Sequence, residues 1–184
     1  PLSAAATSTL QSHLQLVYTG TTRLARNLLR DVLRRWQLGC PQSTANIASL
    51  VSTADEMAAA LTAANMEAVG SALADYWEQK KRMCDAEPAG VAALLRALYS
   101  ERLIIGASLA GAGGGGFLLL VTHEPHAQGA LAPLVEEAGM KLHTVEIDLD
   151  GLVLSFEKGD TMTTPGDSVE TADARPAEQP ASSP

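Results

Sequence analysis

Between Gly111 and Gly116 the chain runs Gly-Ala-Gly-Gly-Gly-Gly, five glycines in six positions, and turns at once into Phe117-Leu118-Leu119-Leu120-Val121-Thr122. Glycine adopts positive φ freely and lets other groups approach the backbone. In a helix interior it costs about 1 kcal/mol relative to alanine. So dense a run cannot sit inside a regular element. It must separate one element from the next, and the apolar run behind it has the pattern of a buried strand. We therefore expect strand, glycine loop, strand. The physical use of such a loop is close backbone approach, either by a phosphate or by a second loop that holds one. A structural hairpin turn is the plainer alternative, but two glycines suffice for that.

Three other meanings of the run fail on its context. Gly106 and Gly111 have the outer spacing of a P-loop, but Ala112 and Gly113 stand where Lys and Ser or Thr are required. Gly111, Gly113 and Gly116 satisfy the dinucleotide-binding spacing, yet that motif must open a helix, and here a strand follows. Residues 103 to 122 carry no charge and are long enough for a bilayer. Four consecutive glycines with apolar residues clumped at both ends make a poor lipid-facing helix, so we expect no membrane span.

Composition narrows the remaining classes. The chain has 184 residues, 46% of them hydrophobic, which supports one real core with appendages. A net charge of -8 argues against non-specific nucleic-acid binding. Cys40 and Cys84 form neither a close metal pair nor a disulfide framework, and no signal or transit signature is evident, so a reduced, cytoplasmic setting is expected. The first residue is Pro1 rather than Met, which leads us to expect a piece of a longer polypeptide.

Along the chain, residues 1 to 13 are small and polar and are expected as a flexible lead-in. Leu14 to Tyr18 form a short strand ending at Thr19-Gly20. Helical spacing of apolar residues predicts a helix over 22–37, stopped by Gly39-Cys40-Pro41. It continues over 43–83, with a weakening at 63–65 that divides it in two. Pro88 suits the first position of a further helix running to about Glu101. After the strand–loop–strand segment come a helix over 128–138, ended by Gly139, and two strands, 141–147 and 152–156, around the turn Asp148-Leu149-Asp150-Gly151. From Lys158 onward Pro, Ser, Thr, Ala and acids dominate, and we expect a disordered acidic tail. The order is α+β, with a domain over 14–157. Its sheet is expected to bury Val17, Leu119, Val121, Val145 and Ile147.

Helix 22–37 carries Arg23, Arg26, Arg30, Arg34 and Arg35 against a lone Asp31. This is either a solvated face or an anion-binding one. Arg23 stands apart because it falls just after Thr19-Gly20, where the strand ends. Asp75, Glu78, Lys80, Lys81 and Arg82 read as a solvated face. The four histidines show no ligand spacing, so no metal site is expected. No nucleophile elbow is present.

The segments Leu16-Val17-Tyr18-Thr19-Gly20-Thr21-Thr22-Arg23-Leu24-Ala25-Arg26-Asn27-Leu28-Leu29, Tyr76-Trp77-Glu78-Gln79-Lys80-Lys81 and Ser108 to Phe117 resemble the L-fucokinase branch of the GHMP sugar kinases. The resemblance covers about residues 14–156, the carboxy-terminal domain of that family. It implies a ferredoxin-like split βαβ sheet with inserted helices. It implies ATP-dependent phosphorylation of the anomeric hydroxyl of L-fucose, with Mg2+ accompanying ATP. By the same resemblance Gly111, Ala112, Gly113, Gly114, Gly115 and Gly116 border the ATP phosphates, and Thr19, Gly20, Arg23 and Ser108 line the cleft. The family's own phosphate loop, its catalytic acid and its substrate motif lie in an amino-terminal domain that this sequence does not contain. That domain, ATP and a monosaccharide are the expected partners, and the fragment alone is expected to be inactive. Relatives tend to have Lys where Thr21 stands. Another sugar kinase of the superfamily, such as a heptose kinase, and a non-catalytic kinase-like module remain open.

Overall fold

The computed structural model describes residues 2–21, 25–83 and 87–151. Residues 1–147 form one compact unit, and a second begins at Asp148. The element order is α1 (Ala4–His13), β1 (Leu14–Tyr18), α2 (Ala25–Gln37), α3 (Pro41–Thr62), α4 (Met66–Met83), α5 (Ala89–Ser100), β2 (Ile104–Leu109), β3 (Phe117–Thr122), α6 (Gln128–Glu137) and β4 (Lys141–His143). The four strands lie in the order β2-β3-β1-β4, every pair antiparallel. Read from β4, this is the split βαβ order, with α2 to α5 inserted between β1 and β2.

Strand alternation divides the core between the two faces of the sheet. Val17, Ala107, Leu109, Leu118 and Leu120 share one face and pack with Val91, Leu94, Leu95 and Leu98 of α5 and Leu131 and Val135 of α6. Val121 and the half-buried Leu119 turn to the other face, against Ala60, Met66, Val69 and Leu73 of α3 and α4. There α4 lies very close to β2. A Cβ placed on Gly106 would be 1.8 Å from the carbonyl oxygen of Gly70, and one on Gly70 would be 2.4 Å from Cβ of Ile105. Only a glycine pair permits this crossing. The helices α3 and α4 are also joined by buried polar groups: Asn46 Nδ2 donates to the Gln79 carbonyl (2.9 Å), and Gln79 Nε2 donates to Thr53 Oγ1 (2.8 Å).

Several expectations hold. The first strand has its expected bounds, and the long helical stretch breaks where Ala64 takes φ +52° and the Asn65 side chain accepts the Ala68 N–H (3.1 Å). Others need correction. The expected flexible lead-in contains α1, whose N-terminus is capped by Ser3 Oγ accepting the Ala6 N–H (3.1 Å), with Ala6 buried. The fourth strand ends at His143 rather than Ile147, and Val145 and Ile147 are half-buried instead of core. The reason is α1. Its chain turns into β1 at Leu14, so little strand remains opposite residues beyond 143, and the Ile147 N–H donates to Gln11 Oε1 instead (3.1 Å). Pro88 stands at the N-cap of α5, one place before the expected position. In the second unit the Asp150 N–H donates to Asp148 Oδ1 (2.8 Å), and the chain bends at Asp150. The expected strand 152–156, the acidic tail and Cys84 lie outside the described residues.

Candidate functional site

The glycine run joins β2 to β3, as expected from its sequence. Its base closes where Ala110 N–H donates to the Phe117 carbonyl (2.8 Å). Beyond that point the backbone takes conformations that L side chains rarely adopt: φ is +62° at Gly111, +89° at Gly113, +131° at Gly115 and +87° at Gly116. Gly113 and Gly114 are buried. Among the described residues, nothing accepts a hydrogen bond from the N–H groups of residues 112 to 115. Successive backbone donors without protein acceptors suit an anion. A strand, not a helix, follows the loop, so the dinucleotide-type reading fails here too.

The loop is tied down at both ends. On the exit side, the Thr19 N–H and Oγ1 both donate to the Gly116 carbonyl, each at 2.9 Å. The Gly116 N–H donates to the Thr21 carbonyl (2.6 Å). Thr19 is buried, and Gly20 makes the turn after β1 at φ +70°. Thr19 and Thr21 therefore meet the glycine loop directly, and Gly20 joins them. At Thr21 the contact is through backbone: a Cβ on Gly115 would stand 2.4 Å from its carbonyl oxygen. Ser108 is buried in β2, and its hydroxyl donates to the Leu109 carbonyl (3.3 Å). Arg23 lies outside the described residues.

On the entry side stands a residue that the pattern of charges hides. Lys80 Nζ donates to the carbonyls of Leu109 (3.2 Å) and Gly111. Its ammonium lies 5.2 Å from the Tyr76 ring centroid and 5.7 Å from that of Trp77. The sequence places Lys80 in a charged helix segment resembling a solvated face. A signal was nevertheless present, because aromatics three and four positions earlier share its side of a helix. Of the arginines on α2, Arg30 and Arg34 are exposed, and Arg35 donates to the Met83 carbonyl (3.3 Å). Next to the loop, Leu29, Val32, Leu50, Tyr76, Lys80, Met83, Gly111 and Ala112 border a cavity of about 220 Å³. Among the described residues no three His, Cys, Asp or Glu side chains gather to hold a metal, and no helix is long and apolar enough to cross a membrane.

Residues 57–139 match the family described as "GHMP kinases C terminal". The chain is 28% identical over 123 residues to an L-fucokinase/L-fucose-1-P guanylyltransferase of Bacteroides fragilis, an alignment covering 66% of this chain and 13% of that protein. It thus spans a small part of the curated relative it matches. Among solved structures it resembles the Lin0012 protein of Listeria innocua, with a TM-score of 0.64 at 14% identity over 71% of this chain and 38% of that one. It also resembles Lactococcus lactis galactokinase complexed with galactose, with a TM-score of 0.56 at 16% identity over 75% of this chain and 46% of that one. At these identities the likeness is one of fold.

Proposed function

From the fold of a GHMP kinase carboxy-terminal domain as premise, we propose that this chain is the carboxy-terminal part of an ATP-dependent sugar 1-kinase, with L-fucose as the sugar. The observation that carries the reading is the glycine loop. Its four consecutive N–H groups, at residues 112 to 115, lack acceptors among the described residues, and both of its ends are held in place. Such donors border the ATP phosphates, together with a cleft at Thr19 and Gly20. The partial likeness to the Bacteroides fragilis protein supports the choice of sugar.

In the proposed reaction the anomeric hydroxyl oxygen bonds to the γ-phosphorus, the bond to the β–γ bridging oxygen breaks, and ADP leaves. The hydroxyl proton passes to a base in the amino-terminal domain. Phosphoryl transfer depends on positioning and charge stabilisation more than on covalent chemistry. Preorganised backbone N–H groups supply the second of these. Magnesium, bound to the nucleotide, would add charge neutralisation. On this reading the fragment alone does not turn over, and the parent protein acts in cytoplasmic fucose salvage.

The test is coupled ADP release by the full-length polypeptide with L-fucose, D-arabinose, galactose and heptoses. Fucose-dependent turnover that collapses in Gly114→Val supports the proposal. Turnover with a different sugar keeps the kinase and discards fucose. Folded protein that releases no ADP with any sugar leaves the non-catalytic module.

A further inference from the structure

We propose that Lys80 is a positioning residue of this site: its ammonium sets the peptide planes at the start of the glycine loop, so that the loop N–H groups face the nucleotide phosphates. The proposal rests on reading the loop as the border of the phosphate site. Its physical core is the trans peptide plane, in which a carbonyl and the next residue's N–H point in opposite directions. The Leu109 carbonyl is held on Lys80 Nζ, and the Ala110 N–H accordingly points away, onto the Phe117 carbonyl. The Gly111 carbonyl is held on the same Nζ. The Ala112 N–H, first of the four without an acceptor, is thereby aimed away from Lys80. One cation thus orients the two peptide units from which the loop departs.

A glycine loop needs such an anchor more than other loops do. Glycine loses the most backbone freedom on ordering, and between Gly111 and Gly116 only the Ala112 methyl can pack to offset the loss. The exit end is fixed by Thr19 and Thr21; among the described residues the entry end is held by Lys80, by the Ala110 hydrogen bond and by the longer Ser108 hydroxyl bond to the Leu109 carbonyl, and Lys80 alone reaches Gly111. An ammonium has three donors and makes charge-assisted bonds, so it can hold two carbonyls at once. Its own place is determined from below. The faces of Tyr76 and Trp77 flank it, and the Trp77 indole is fixed by donating to Glu87 Oε1 (2.9 Å). The Gly70–Gly106 contact locks α4 against β2, so the distance from Lys80 to Leu109 is set by a rigid helix–sheet crossing.

The experiment compares the wild-type full-length polypeptide with Lys80→Met, which keeps the stem, and Lys80→Arg, which keeps the charge. Hydrogen exchange is followed on peptides covering 108–118 and on the α5 and α6 core, alongside steady-state kinetics. In Lys80→Met we expect exchange of the bonded amides at the loop's ends, Ala110 and Gly116, to rise roughly 10- to 100-fold, the range for losing charge-assisted bonds. Core exchange should stay unchanged, and KM for ATP should rise by about tenfold or more while KM for the sugar moves by less than about twofold. Lys80→Arg should restore much of the loop protection. Unchanged loop exchange in Lys80→Met overturns the proposal. So does a fall in kcat with loop exchange intact, which would place Lys80 on the reacting groups instead. Arg performing no better than Met overturns it as well, since the charge would not be what holds the loop. A wild-type protein without sugar-dependent ADP release refutes the kinase reading, and the exchange data then decide the Lys80 clamp separately.

Discussion

Replacing Gly115 by alanine should damage the site far more than the same change at Gly111, and the structure gives the size of the difference. At Gly111, φ is +62° and a Cβ meets nothing within 4 Å. Alanine there bears only the left-handed conformational penalty, about 1 kcal/mol. At Gly115, φ is +131°, and the new Cβ would lie 2.4 Å from the Thr21 carbonyl oxygen, 2.9 Å from its Oγ1 and 3.0 Å from its carbonyl carbon. Two of these three contacts, the shortest included, fall on backbone, so either the loop or residues 19–21 must move by about 1 Å to reach an ordinary separation. That movement breaks the Gly116 to Thr21 hydrogen bond, worth about 1 kcal/mol, and backbone strain adds about 1–3 kcal/mol. We expect Gly115→Ala to lose about 3 kcal/mol and Gly111→Ala about 1 kcal/mol. Urea unfolding of both variants measures the difference, and amide exchange at Thr19 and Gly116 locates it. Equal losses, or normal protection of Gly116 in Gly115→Ala, would refute the claim that residues 19–21 close down on the loop.

Three further predictions follow from other parts of the molecule. Gly106→Ala should destabilise by several kcal/mol, at or above the usual overpacking range of about 1–3 kcal/mol, because its Cβ meets Gly70 backbone that no rotamer change can clear; a thermal midpoint close to wild type would contradict the crossing. Thr122→Val removes a fully buried hydroxyl that bridges to the carbonyls of Glu124 (2.7 Å) and His13 (3.0 Å), and should cost about 1–3 kcal/mol in chemical denaturation; a neutral substitution would mean that α1 is not tied to β3 through it. Burial, and then the charge of Glu78, raise the Tyr99 pKa above its usual 10. A raised folded-state pKa means that the native state keeps its proton longer, so this stabilisation is complete below pH 10 and disappears as pH climbs through the folded value. Ultraviolet titration of wild type against Tyr99→Phe should show the missing phenol ionising above pH 10, and ionisation at or below that value would falsify the assignment.

Local chemistry was legible wherever a short stretch decides its own conformation. The glycine run announced a loop between strands, and Ala63 to Asn65 announced a helix break that Ala64 makes at positive φ. The resemblance supplied the split βαβ arrangement, and the strand order agrees with it. Interactions across the chain were not legible. Ala4 to His13 has too little hydrophobic content to predict a helix, yet Ser3 caps it, Ala6 is buried, and Leu10 packs on a cluster already assembled from α3, α4 and β3. Missing α1 also meant missing the early end of β4, because the one displaces the strand that the other needs.

The same division runs through the site. The sequence by itself determined that the chain must carry a glycine loop after Leu109, because so dense a glycine run cannot sit inside a regular element. It also determined that Thr19 and Gly20 end the first strand. Only the tertiary structure brought these two turns together, since the Thr19–Gly116 contact spans 97 residues and depends on the register of β1 against β3. Only the tertiary structure drew Lys80 out of an unremarkable run of charges and set it beneath the loop. A side chain's partners depend on where its backbone is carried, and the crossing of α4 over β2 at Gly70 and Gly106 carries this one.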